Sequence, residues 1–352
     1  MKKPYVISTG PTNFLEHVII FCHLENGVVG IGESAPAVVV SEESQGDVQI
    51  TVERFLSSCA IEESVFDLEK ISQKMSRAIP GHPHAKAALE LSIWDAIGKV
   101  LDTPLYDLLG GKFRSAVPVA WAIGIGSEDE MVEEAKYYVS KGFRALKVKV
   151  GLGSDRDLVN LAAIRNAVGK TISIRVDANC GYSSDQALKI LRKMEDYDLE
   201  LIEQPLPRWD LEGLARVAGE LDTPIMVDES INSPEEAMRL ARMEAADIFN
   251  IKVAKLGIRA SKKIAAIAEA CGLSCSVGSM IETSLGTSAG ANFAASTAIV
   301  TYATELVGTL LISDDLGTES YVASSGEIRV PNGPGLGIDL DYGKLKQMKT
   351  AI

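Results

Sequence analysis

The chain has 352 residues, 46% hydrophobic and 24% charged, enough for one large core and a smaller attached unit. Its 35 Lys and Arg against 48 Asp and Glu leave a formal charge of −13, which repels a polyanion such as DNA. No apolar run reaches the ~18 residues of a membrane helix, and the start Met1-Lys2-Lys3-Pro4-Tyr5 lacks a signal peptide's apolar stretch, so a cytoplasmic protein is expected, binding neither nucleic acid nor membrane.

Residues 1–115 read as an α+β unit. Phe14–His23 and Val28–Glu33, separated by Glu25-Asn26-Gly27, form a predicted hairpin, and Ala85–Val100 is a helix apolar on several sides. His82-Pro83-His84 before it reads as a surface turn. From about residue 117, short apolar strands alternate with helices. The strands are expected at Val117–Ala122, Ala145–Val150, Ser173–Val176, Leu199–Glu203, Ile225–Val227, Ile248–Val253, Ser274–Val277 and Thr301–Leu306. Ser127-x-x-Glu130 and Ser183-x-x-Gln186 are capping boxes, and Ser233-Pro234-Glu235-Glu236 joins an N-cap to a first-turn proline.

Eight such units predict an α/β fold of the parallel (β/α)₈ type over 116–319, with the N-terminal unit, completed by 320–352, capping one end. A doubly wound sheet is the alternative, but no dinucleotide glycine fingerprint accompanies it. The five cysteines (22, 59, 180, 271, 275) form no Cys-x-x-Cys pair and are expected as buried reduced thiols. All four histidines (17, 23, 82, 84) precede residue 85, so later chemistry proceeds without imidazole, which excludes a later His base or His-rich zinc site.

Barrel enzymes place reactive groups at the carboxyl ends of strands. Those ends carry Lys147-Val148-Lys149, Asp177-Ala178-Asn179, Glu203-Gln204-Pro205, Asp228-Glu229-Ser230, Asn250-Ile251-Lys252, the segment reaching Glu282, and Thr304-Glu305-Leu306. Alternation aims both Lys147 and Lys149 at one face. Asp177, Glu203 and Asp228 recur one strand–helix unit apart, so they reach the same height on adjacent strands. Three oxygen ligands with open positions suit Mg²⁺ and lack the soft donors of other metals. Taken alone, each charged residue reads as a helix cap or a solvated strand end; arriving in phase, they read as a site. Glu282 reads equally as a substrate-side contact and as a cap.

These segments, with Lys255 and the stretch Gly278–Gly286, resemble the muconate-lactonizing-enzyme subgroup of the enolase superfamily over nearly the whole chain. The resemblance implies a capping domain over a modified barrel. It also implies Mg²⁺, with Mn²⁺ able to substitute, held by Asp177, Glu203 and Asp228. Lys149 and Lys252 would be acid/base groups on opposite substrate faces, supported by Lys147, Asn179, Asn250, Glu282 and Glu305. This is the chemistry known for that superfamily. It makes physical sense: ionising a carbon acid beside a carboxylate loads charge onto oxygens that a divalent cation stabilises. The base must be a neutral amine, so burial and nearby cations have to act on it.

The reaction is divided between two readings. Asp177-Ala178-Asn179 and Asn250-Ile251-Lys252 resemble racemases and dipeptide epimerases. Thr304-Glu305-Leu306-Val307-Gly308 resembles cycloisomerases and lacks the Asp-x-Asp with which dipeptide epimerases bind an ammonium. The capping loops, with Asn13, Phe14, Val38, Val39 and Val40 as expected substrate contacts, hold no Lys or Arg. An anionic side chain would find no partner in them. The first reading is therefore an epimerase or racemase of a dipeptide or N-acyl amino acid, the alternative a muconate-type cycloisomerase. Expected partners are a small carboxylate substrate and further copies of the chain.

Overall fold

Strands apolar on both faces need helices on one side and a filled interior on the other. The computed structural model, which describes residues 1–319 and 321–348, meets that need with a curled parallel sheet. Chain order runs β1 (Tyr5–Ile7), β2 (Gly10–Thr12), β3 (Val18–His23), β4 (Val29–Ser34), β5 (Ala116–Pro118), β6 (Ala120–Ile123), β7 (Ala145–Lys149) and β8 (Ser173–Asp177). Then follow β9 (Leu199–Glu203), β10 (Ile225–Val227), β11 (Ile248–Ile251), β12 (Ser274–Val277) and β13 (Glu327–Arg329). Strands β6 to β12 form one seven-stranded parallel sheet in sequence order. Val148, Val176, Ile202, Val227 and Phe249 are buried in the main apolar core. The alternate residues Lys147, Lys149, Asp177, Glu203 and Asp228 are buried as well.

The fold is the α/β modified (β/α)₈ barrel that the sequence predicts, with two differences. The expected eighth strand, Thr301–Leu306, forms no ladder. Single bridges close the ring instead: Thr304 N–H donates to Pro118 O (2.8 Å), Ala120 N–H to Thr304 O (2.7 Å) and Glu305 N–H to Val277 O (2.8 Å). The expected first strand, Val117–Ala122, is split. Pro118 has no N–H to continue a ladder, and β5 pairs antiparallel with β13 while β6 enters the barrel. All three sequence-predicted N-caps form. Ser127 and Ser183 make complete capping boxes, and Ser233 accepts from Glu236 N–H.

The N-terminal hairpin β3–β4 lies against the helix Pro83–Val100. Gly30 and Gly32 permit that approach, since a Cβ at either would stand 2.0 Å from the carbonyl oxygen of Ser92 or Ala88. Asp95 accepts from Ile31 N–H and Leu336 N–H, both at 2.8 Å, fastening hairpin, helix and C-terminal segment together. Leu340 packs with Ile31, Leu285 and Leu316, so that segment touches both hairpin and barrel. Ser320 and residues 349–352 of the expected capping tail lie outside the described residues. His82 adopts the expected turn in the left-handed region (φ 52°), but His84 is fully buried rather than on the surface, because Pro83 starts the helix and turns its second residue inward. The five cysteines are free thiols, but only Cys59 and Cys275 are buried; Cys22 and Cys180 are half-buried, and Cys271, at the end of the helix Val253–Cys271, is exposed. Among the described residues no helix is long and apolar enough to cross a membrane.

Candidate active site

Register fixes the site. Lys149 stands opposite Asp177 on β8, and Asp177 opposite Glu203 on β9, so lysine and carboxylates lie side by side at the strand ends. Lys147 Nζ lies 2.8 Å from Asp177 Oδ2, 2.8 Å from Glu203 Oε2 and 2.7 Å from Glu305 Oε2. Lys149 Nζ meets the same Asp177 oxygen at 2.5 Å and donates to Asn179 Oδ1 at 2.8 Å. Across the barrel, Lys252 pairs with Asp228 Oδ2 at 2.6 Å, and Lys255 donates to the Asp228 carbonyl at 3.0 Å.

Neighbouring amides hold the carboxylates. Asn250 donates to Glu203 Oε1, and Asn179 donates to Glu229 Oε1, both at 2.9 Å. Gln204 accepts from the N–H groups of Asp228 and Ser230, which orders the end of β10. Asn179 and Gln204 sit in the left-handed region (φ 40° and 35°), where the chain leaves the strands sharply.

Charge density here shifts the titrations. Burial disfavours the charged form of Asp177, but Lys147 and Lys149 outweigh it and hold the carboxyl at about 2. Asp228 is likewise held low, against its burial, by Lys252 and Lys255. Glu203 is driven upward by burial, then by Asp177 and Glu305. Burial and the charge of Asp228 push Glu229 up to about 7. Lys147 is held well above its ordinary value, because three carboxylates overcome its burial.

Several buried oxygens remain unsatisfied. Glu203 Oε2 and Asp228 Oδ2 lie close to ammonium nitrogens but without hydrogen-bond geometry, and Asn250 Oδ1, Glu229 Oε2 and Glu305 Oε1 have no hydrogen-bond partner. Hard oxygen donors of this kind, on adjacent strands, fit a divalent cation. Among the described residues, no three His, Cys, Asp or Glu groups are already spaced to hold a metal. Ammonium groups occupy the carboxylates instead.

A pocket opens over this set, lined by Lys147, Lys149, Asn179, Lys252 and Glu305, and walled by Tyr5, Ile7, Leu15, Val40, Met280, Ile281, Val307 and Leu311. Of the expected loop contacts, Val40 lines the pocket. Thr12, Leu15 and Ala37 supply the rest of the loops' contribution. Asn13 and Phe14 are exposed, Val38 is 60% exposed, and the side chain of Val39 lies outside the described residues. Glu282 is buried and accepts from Ser279 Oγ and Met280 N–H, closing its own loop, while Thr283 is the N-cap of the helix that follows. Tyr5 was not legible as a site residue, because a three-residue strand is too short for alternation to reveal its inward face.

Two family models cover the chain: the mandelate racemase/muconate lactonizing enzyme N-terminal domain over residues 1–110, and the enolase C-terminal domain-like family over 130–344. The chain is 36% identical to an L-Ala-D/L-Glu epimerase of Bacillus subtilis, over 96% of this chain and 93% of that protein. It is 34% identical to a chloromuconate cycloisomerase of Cupriavidus pinatubonensis, over 95% and 91%. The crystal structure of the N-succinyl Arg/Lys racemase from Bacillus cereus superposes with a TM-score of 0.96 at 34% identity, covering 100% of this chain and 95% of that one.

Proposed function

The chain belongs to the enolase superfamily, in its mandelate racemase/muconate lactonizing enzyme subgroup, with isomerase-type activity, and from that premise we propose that it is a Mg²⁺-dependent racemase or epimerase of a dipeptide or N-acyl amino acid. The observation that carries this reading is the placement of two lysines, Lys149 at the end of β7 and Lys252 just after β11, on the wall of one pocket, each beside its own carboxylate.

Asp177, Glu203 and Asp228 would hold the cation. Bound there, it supplies positive charge where the substrate carboxylate gains electron density during α-deprotonation. The remaining work belongs to the chain. One lysine, as a neutral amine, takes the α-proton, and the other, as an ammonium, returns a proton to the opposite face of the same carbon. Asn179 orients Lys149, and the apolar walls exclude water. Among the described residues, no cationic side chain beyond the site lysines lines the pocket, which suits a hydrophobic side chain better than an anionic one.

In D₂O, Lys149→Ala and Lys252→Ala should each lose net inversion by at least ~10², while each still exchanges the α-proton of one stereoisomer. NMR on both stereoisomers reads this directly. Inversion near the wild-type rate in either variant rejects the two-lysine mechanism.

One observation favours the second reading, a muconate-type cycloisomerase. Glu305 spends one oxygen on Lys147, which competes with a substrate ammonium for its charge. Lactone formation or opening, followed by absorbance and more sensitive to the loss of one lysine than the other, would select it.

A further inference from the structure

Tyr5 stands in the pocket for no reason the catalytic set supplies. It is 8% exposed and lines the wall beside Lys147 and Glu305, yet its hydroxyl makes no hydrogen bond among the described residues. A phenol whose ring is buried while its hydroxyl opens, without a protein partner, onto a pocket is set for a ligand. The backbone around it is fixed. Ile125 N–H donates to Val6 O at 2.8 Å, and Lys2 N–H to Leu311 O at 2.8 Å, pinning the segment between the first barrel strand and the chain following Glu305.

The chemistry of this end of the pocket selects what the hydroxyl meets. Ile7, Val307 and Leu311 beside it are apolar. The nearby anion, Glu305, has one oxygen on Lys147 at 2.7 Å; the other makes no hydrogen bond but lies 4.0 Å from the Arg175 guanidinium, so both oxygens already face a cation of the protein. The nearby cation, Lys147, is matched by three carboxylates, leaving little pull on a further anion. Burial pushes the phenol far above its ordinary value, so it remains a donor at all working pH. A donor on a largely apolar wall, whose neighbouring ions already face charged partners of the protein, complements a neutral acceptor oxygen.

We propose that Tyr5 is a specificity-determining residue whose hydroxyl donates a hydrogen bond to the acyl carbonyl oxygen of an N-acyl amino acid held in the pocket. This rests on the racemase/epimerase reading for the identity of the substrate, while the contact is measurable by binding alone.

The probes are N-propionyl-L-leucine, L-alanyl-L-leucine and cis,cis-muconate, titrated into Mg²⁺-loaded wild type and Tyr5→Phe, with α-proton exchange followed in parallel. Tyr5→Phe should keep the wild-type Tm and bind N-propionyl-L-leucine about five- to tenfold more weakly, as loss of one hydrogen bond implies, with KM for exchange rising by a similar factor. Unchanged affinity for N-propionyl-L-leucine overturns the proposal, as does a loss confined to L-alanyl-L-leucine, which would make the hydroxyl an ammonium acceptor. A loss confined to muconate, or failure of wild type to bind either acyl compound, overturns it too. The expected loss of affinity, in a protein that exchanges no α-proton, upholds the contact and rejects racemisation instead.

Discussion

Lys147 binds the charges of this barrel together, since a single ammonium meets carboxylates from β8, β9 and the segment after Ala303. Buried ions persist only when matched in this way. His84 shows the opposite solution. It is fully buried with both ring nitrogens unpartnered, and burial, then Lys255 and Lys252, push its imidazole down to about 3. A histidine buried neutral gains its proton only on unfolding, so stability falls as pH drops from the ordinary histidine value toward 3. Between pH 7 and 5 this amounts to about 2 kcal/mol. Urea unfolding across that window should show the loss in wild type and a correspondingly flatter profile in His84→Leu. Parallel profiles would assign the acid sensitivity to other groups.

At the scale of elements, β4 and the helix Ser284–Ser296 are joined by one side chain. Glu33 accepts from Thr283 N–H at 2.9 Å, Thr283 Oγ at 2.8 Å and Gly286 N–H at 2.7 Å, and pairs with His17 at 2.9 Å. Burial would raise this carboxyl, but those partners prevail and keep it below its ordinary value. A negative charge at a helix start, with charge-assisted bonds, is a strong fastening. Glu33→Gln should therefore cost about 2 kcal/mol in urea unfolding, and loosen the loop that precedes the helix. That loop carries its own tension. Ile281, a β-branched residue on the pocket wall, has φ 64°, a conformation costing about 1–3 kcal/mol. Ser279 and Glu282 hold it there through the N–H groups of Ile281 and Met280.

For the whole molecule, the barrel gathers more buried carboxylate than its lysines satisfy by hydrogen bonding, and a cation that binds only the folded chain stabilises it by mass action. At a hundredfold excess over Kd, Mg²⁺ should add about 2.7 kcal/mol and raise Tm by a few degrees. Glu203→Gln should fold without the cation yet show little of that rise, because a neutral amide is a poorer ligand for a hard ion. Thermal scans with Mg²⁺ and after EDTA dialysis check this. An equal rise in both proteins would place the cation elsewhere.

Periodicity, caps and strand-end spacing determine the barrel class, and alternation alone puts Lys147 and Lys149 on one face. Those features are local: a strand's period and a helix's first turn are set by neighbours a few residues away. Glu305 is different. Its sequence context left both an ammonium contact and an ion pair open, and only closure of the ring brings it to Lys147, 158 residues earlier in the chain. Tyr5, the inward turn of His84 and the grip of Glu33 on a helix 250 residues away were equally invisible. Each depends on which surfaces meet when the N-terminal segments settle on the barrel, and no local spacing encodes such a meeting.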